Sequence, residues 1–273
     1  MKKTILSIIA ASATALFAAT ALAQDAAPVT IPVYEWEPYS GQALKGYGLA
    51  TELTTDALTK AGYTVKHAFV PWKRALEVGK RGDYEVVPGM WFSEERAKSF
   101  LFSHPMLSNE LVTICVNFDG DKPDRTGNPL NLRDKTVGLV RGYHYPDSLL
   151  SLDHVEFEEG VSLGTNLKKL FFRRVDVVVG DRVASSWLGR RLFGEASGLL
   201  YVTGDPIITR NLFIGISRQS ARRDRLATAI NNELDHMKNS GELAARVRQY
   251  VEAARPEIAD EMEKLLTSDK PAE

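Results

Sequence analysis

Cysteine is nearly absent from this chain: Cys115 stands alone among 273 residues, so no internal disulfide can form. A chain of this length without cross-links must bury a substantial core, which an apolar content of 44% permits. Cys115 lies in the run LVTICVNF and reads as a small buried hydrophobe rather than a reactive thiol. Neither sign of charge is in excess, with 34 Lys and Arg against 35 Asp and Glu, well mixed. The basic face of a nucleic-acid binder is therefore missing, and no nucleic-acid partner is expected. The Arg-Arg pairs at 173–174, 190–191 and 222–223 read as parts of solvated helix faces. His67, His104, His144, His154 and His236 show no metal-ligand spacing, so no metal is expected. There is no phosphate loop and no dinucleotide fingerprint, so no cofactor is expected either.

Long apolar runs are confined to the first two dozen residues; nothing later approaches the roughly 20 apolar residues of a bilayer span. MKKTILSIIAASATALFAATALAQ has Lys2 and Lys3, an uncharged stretch, then Ala21-Leu22-Ala23. That is the pattern of a cleavable secretory signal peptide over residues 1–23, which predicts export.

Beyond this segment, β-branched runs alternate with helical patterns, without internal repeats. TIPVY reads as a strand; LATELTTDALTKAG sets Leu49, Leu53, Ala57 and Leu58 on one helical face, with Gly62 as a stop. YTVKHAFV, PWKRALEVGKRG, YEVVPG, SEERAKSF and LVTICVN read as strand, helix, strand, short helix and extended run. After the turn-rich FDGDKPDRTGNPLNLRDK the alternation restarts with TVGLV, a broken helix start, HVEFEE, the helix SLGTNLKKLFFRR, VDVVVG and the helix DRVASSWLGRRLFG. LLYV and NLFIGIS are extended, and two helices complete the pattern, the first aligning Leu226, Ile230, Leu234 and Met237. Two β/α alternations predict two α/β lobes, the chain crossing back to the first near 201–213. Residues 24–110 plus 206–255 form lobe one, 111–205 lobe two, and 256–273 a charged C-terminal tail.

Ligands of open α/β sheets gather where strands end and helices begin. Four such junctions carry suggestive side chains: EWEPY, MWFSEER, RGYHY and GDR. Ser93 is a fair N-cap with Glu94 and Glu95 in the first turn, whereas Arg96 opposes the positive field of a helix start. Arg96 is either a fork for a carboxylate or a solvated arginine paired with a glutamate. Asp181 either accepts from a ligand ammonium or caps DRVASSW. Trp36, Trp72 and Trp91 all stand near strand ends, as aromatic walls of a small-molecule site do.

These residues make the chain resemble the bacterial solute-binding proteins of family three, from about Val29 to Tyr250. The resemblance rests on EWEPYSG, on FVPWKRALEVGKRGDYEVVPGMWFSEERAKSFLFSHPML, on LRDKTVGLVRGYHY, on RRVDVVVGD and on NSGELAARVRQY. It implies a type II periplasmic binding fold: two α/β lobes, each a β-sheet flanked by helices, joined by two hinge crossings. It also implies that Arg96 holds a carboxylate, Asp181 an ammonium, and Trp36 covers the ligand, with Tyr143 and His144 adding bonds from the loop after Gly142. Two departures stand out. Pro88-Gly89-Met90-Trp91 replaces small hydroxyl residues before the arginine, placing Gly89 and Trp91 at the site; Tyr143-His144 replaces small Thr or Ser. An aromatic, cationic or non-amino-acid carboxylate is therefore open as ligand.

The function implied is a periplasmic, monomeric receptor that captures a small carboxylate, an amino acid or derivative, for an inner-membrane ABC permease. Two alternatives are an enzyme similar to cyclohexadienyl dehydratases, using Glu35, Glu37 or Asp181 as acid, and a stand-alone sensory receptor.

Overall fold

The structure, a computed structural model, describes residues 27–118, 128–252 and 259–268. The expected signal peptide and the middle of the turn-rich stretch lie outside the described residues.

Strand β1 (Val29–Val33) runs parallel to β2 (Val65–Phe69), Val29 opposite Val65. Between them α1 (Leu49–Lys60) turns Leu49, Leu53, Ala57 and Leu58 into the core, none more than 2% exposed, as its 3.6-residue period dictates. Helix α2 (Trp72–Arg81) starts after Pro71 and stops at Gly82, which takes the left-handed conformation. Strand β3 (Val86–Trp91) is buried throughout. The next helix, α3 (Glu94–Ala97), is only one turn long, shorter than SEERAKSF suggests. Phe100 ends it early by entering β4 (Phe100–Phe102), where its ring packs with Val87 and Met90.

Strand β5 (Leu107–Val116) leads to the second alternation: β6 (Thr136–Val140), α4 (Asp147–Leu150), β7 (Glu156–Gly160), α5 (Leu163–Phe171), β8 (Val177–Asp181) and α6 (Arg182–Phe193). Strand β6 lies parallel to both β7 and β8. The two extended runs expected at 199–217 are one strand, β9 (Leu200–Ser217). It pairs antiparallel with β5 along both strands, and its far end takes on β3 and β4. The sheet order is β3-β9-β5-β8-β6-β7. The β5–β9 ribbon thus forms the two crossings between lobes. Its register slips midway: Leu111 pairs with Ile208 but Thr113 with Thr203, leaving Gly204 to Ile207 of β9 bulged, with Gly204 at φ +68°.

Helices α7 (Arg223–Asn239) and α8 (Glu242–Glu252) return to the first lobe, α7 packing on α1 through Leu226, Ile230, Leu234 and Met237.

Two expectations need correction. Within the stretch expected as a charged tail, residues Ala259–Thr267 form α9, which packs on α8 and β5 with Ala259, Met262 and Leu266 buried. Asp260 and Glu263 are outside this packed face, where both meet Arg248 of α8. Arg222 is not part of a solvated face: it is 3% exposed and forms a forked ion pair with Glu85. A buried guanidinium needs such a partner, which sequence spacing does not reveal.

Candidate functional site

The loop leaving β1 turns its aromatic residues toward the seam between lobes. Tyr34 is buried and donates to the carbonyl oxygens of Pro88 and Gly89, tying this loop to β3. Gly89 permits that tie: its φ is +65°, and a Cβ there would stand 3.3 Å from the Tyr34 hydroxyl and 3.4 Å from Ala50. Trp36 lies with its ring 4.4 Å from that of Tyr39, and the Tyr34 ring is 4.7 Å from Trp72.

At the end of β3, the Trp91 indole donates to Asn109 Oδ1 at 2.8 Å. Ser93 caps α3 as expected, its hydroxyl accepting from the Arg96 N–H at 3.2 Å. The Arg96 guanidinium folds back, donating to the Trp91 carbonyl at 2.8 Å and lying 5.6 Å from the Trp72 ring centre. Among the described residues no carboxylate comes within 4 Å of it, so the alternative of a surface ion pair with a neighbouring glutamate is not what the structure adopts; Glu95 points to Lys80 instead. Burial pulls the Arg96 pKa below the usual arginine value, with Arg210 repelling it further, while Tyr34 and Glu95 work the other way.

From the second lobe, Gly142 (φ +76°) turns the chain after β6. Tyr145 holds this loop by accepting from the Val140 N–H at 2.8 Å. Tyr143 reaches between the tryptophans of the first lobe, 4.9 Å from Trp91 and 6.3 Å from Trp36, both edge-on. Its hydroxyl is buried and has no hydrogen-bond partner among the described residues. Burial raises its pKa well above that of a free phenol. His144 is exposed at its outer edge; partial desolvation of its ring, then the charges of Arg210 and Arg96, lower its pKa.

Asp181 closes β8 opposite Leu111 of β5, at the level of the crossing. It caps α6, Oδ1 accepting from the Ala184 N–H at 2.6 Å, and both its oxygens accept from the Tyr39 hydroxyl at 3.2 Å. Only 1% of it is exposed. Burial pushes its pKa up to about 7, against the pull of the Ala184 N–H, Asn109 and Tyr39.

A cavity of about 730 Å³ opens between these walls, and all eight residues singled out from the sequence line it. That volume lies in the range of small-molecule sites. Three features were not read from sequence: Tyr34, the Tyr39–Asp181 contact, and an ion pair at 2.8 Å between Arg191 of α6 and Glu37 of the β1 loop. Glu37 is 6% exposed; burial raises its pKa while Arg191 opposes the rise. Trp187, the fourth tryptophan, joins the same seam, its ring 6.1 Å from Tyr250 of α8. Only EWEPY, as a polar-aromatic cluster after a strand, signalled this region.

Comparison with known proteins agrees with this architecture. The sequence profile of the bacterial extracellular solute-binding proteins, family 3, matches residues 30–253. No curated protein sequence matches. Among solved structures, an amino acid ABC transporter substrate-binding protein, AbpA from Streptococcus pneumoniae, bound to L-arginine, superposes with a TM-score of 0.69 at 18% identity, over 86% of this chain and 98% of its own. A histidine kinase sensor domain similar to periplasmic binding proteins gives 0.70 at 18%, over 83% and 97%. The GluR0 ligand-binding core from Nostoc punctiforme, in complex with L-glutamate, gives 0.66 at 19%, over 82% and 99%. At these identities the structures share the fold with this chain.

Proposed function

The chain belongs to the bacterial extracellular solute-binding proteins, family 3, and from that premise we propose that it captures a small carboxylate between its lobes. One observation carries this reading: a guanidinium, Arg96, borders the interlobe cavity with no carboxylate of the protein within 4 Å among the described residues. A partly buried cation without a counter-ion is stabilised by an arriving anion, and the guanidinium fork matches a carboxylate. Trp36, Trp72 and Trp91 supply aromatic walls, with Tyr143 and His144 opposite them and Gly89 leaving room for Tyr34 to dock.

Closure is a hinge motion of the β5–β9 ribbon, with the lobe boundary at residues 110/111 of β5 and 205/206 of β9. The bulge at Gly204 to Ile207 supports that placement, since an unpaired stretch bends more easily than a paired one. Contacts from both lobes favour the closed state because only there does a ligand engage both. In the cell the receptor is exported to the periplasm through the segment 1–23 and delivers its ligand, as a monomer, to an ABC permease.

Calorimetry with a panel of amino acids and organic acids tests the reading. Arg96→Ala is expected to weaken every carboxylate ligand at least about thirty-fold, the loss of two charge-assisted hydrogen bonds. Unchanged affinity in that variant would sink the assignment.

A further inference from the structure

We propose that the anion taken by this site has an aromatic body and no ammonium group: an arylalkyl carboxylate, 2-oxo or 2-hydroxy acids included, rather than a zwitterionic amino acid. This rests on the interlobe carboxylate reading and concerns the same cavity.

An ammonium enters a partly buried cavity at a large desolvation cost that an acid offsets well and an aromatic face only in part. Three acids line the cavity, and each is taken or weak. Asp181 stands where an ammonium partner is wanted, but it is 1% exposed, and its oxygens accept from Ala184 and from the Tyr39 hydroxyl. Tyr39 does not swing aside easily. It is fully buried, its ring lies against Trp36, and its carbonyl accepts from the N–H groups of Ala50 and Thr51. Glu37 is committed to Arg191 at 2.8 Å. Glu35 is exposed and accepts from the Gln42 N–H, where water screens any charge it meets.

The opposite sign is better provided for. Arg96 lines the cavity and lacks an acidic partner within 4 Å among the described residues. The walls are aromatic, and Phe69 and Val161, 45% and 74% exposed, add apolar surface to the lining. Between them the buried Tyr143 hydroxyl is unpartnered and neutral. It matches an uncharged oxygen on the carbon beside the carboxylate, a ketone or a hydroxyl, and gives an ammonium no charge to pair with.

The test is calorimetry on the purified, dialysed chain with three acids of one skeleton: L-phenylalanine, phenylpyruvate and 3-phenylpropionate. The expected result is that phenylpyruvate and 3-phenylpropionate bind at least ten-fold more tightly than L-phenylalanine. Asp181→Asn, which keeps a capping side chain, is expected to leave the ratio of the acids' affinities to that of L-phenylalanine within about two-fold, whatever it does to the absolute values. Equal affinities, or tighter binding of the amino acid with its loss in Asp181→Asn, overturn the inference and leave the carboxylate reading standing. If none of the three binds, and the wider panel of carboxylates fails as well, the carboxylate reading itself falls and this inference with it.

Discussion

Tyr39 donates its hydroxyl to both carboxylate oxygens of Asp181, at 3.2 Å each, joining the loop after β1 to the start of α6 across 142 positions of sequence. The contact spans the two lobes and covers the one acid that ends a central strand at the cavity. It therefore bears on the stability of the closed arrangement as well as on ligand choice.

The raised pKa of Asp181 makes stability depend on pH in a definite direction. Its value in the fold is about 7, against about 3.9 for an ordinary Asp. Between those values the folded chain holds one more proton than the unfolded chain, so this group's contribution falls as pH rises through the window. Asp181→Asn removes the effect while keeping the cap. The difference in unfolding free energy, variant minus wild type, is expected to grow from pH 4 to pH 7 by on the order of 1 kcal/mol or more and level off above, seen as a widening gap in Tm. A difference that stays flat across thermal melts in that range would contradict a buried, proton-retaining Asp181.

Gly89 is expected to tolerate no side chain. Gly89→Ala forces a Cβ onto a residue at φ +65°, against Tyr34 and Ala50. The backbone conformation alone costs about 1–2 kcal/mol and the crowding adds to it, read from chemical denaturation. Gly142 has a similar φ but nothing within 4 Å of a Cβ, so Gly142→Ala bears the backbone cost without the crowding and serves as the comparison.

The Arg191–Glu37 pair links the lobes from a half-exposed position, the Arg191 side chain being 56% exposed. Removing it with Arg191→Ala is expected to cost more than breaking a pair exposed on both sides, about 1–3 kcal/mol, since the carboxylate of the pair is the buried member. It is also expected to leave Glu37 buried without its cation and to favour the open state. Small-angle scattering of the unliganded variant checks this: a larger radius of gyration than wild type supports a latch, and an identical profile argues against one.

Helix α9 is expected to be part of the folded unit. Leu266 is fully buried in the main core cluster, and Leu266→Ala should cost about 2–5 kcal/mol in equilibrium unfolding. A loss below about 0.5 kcal/mol would return the segment to a dispensable tail.

Much of the fold was legible because its causes are local. The apolar period of α1, the cap Ser93, the stop at Gly82 and the strand runs depend on residues within a few positions of one another. The cavity was legible for a related reason: in an α/β sheet the strand ends that precede helices converge, so EWEPY, MWFSEER, RGYHY and GDR were bound to meet. The short α3 and the helix in the tail were misjudged because both were decided by packing elsewhere, Phe100 joining β9 and Met262 with Leu266 finding the core.

The chain alone determined most of the elements and which side chains face one crevice, since periodicity and capping are properties of neighbours in sequence. Which of those side chains are already engaged was decided only in three dimensions. Tyr39 on Asp181, Arg191 on Glu37, Arg222 on Glu85, and Arg96 without a counter-ion among the described residues are outcomes of pairing between distant segments. Burial sets the energies of such pairs, and burial exists only once the segments have packed.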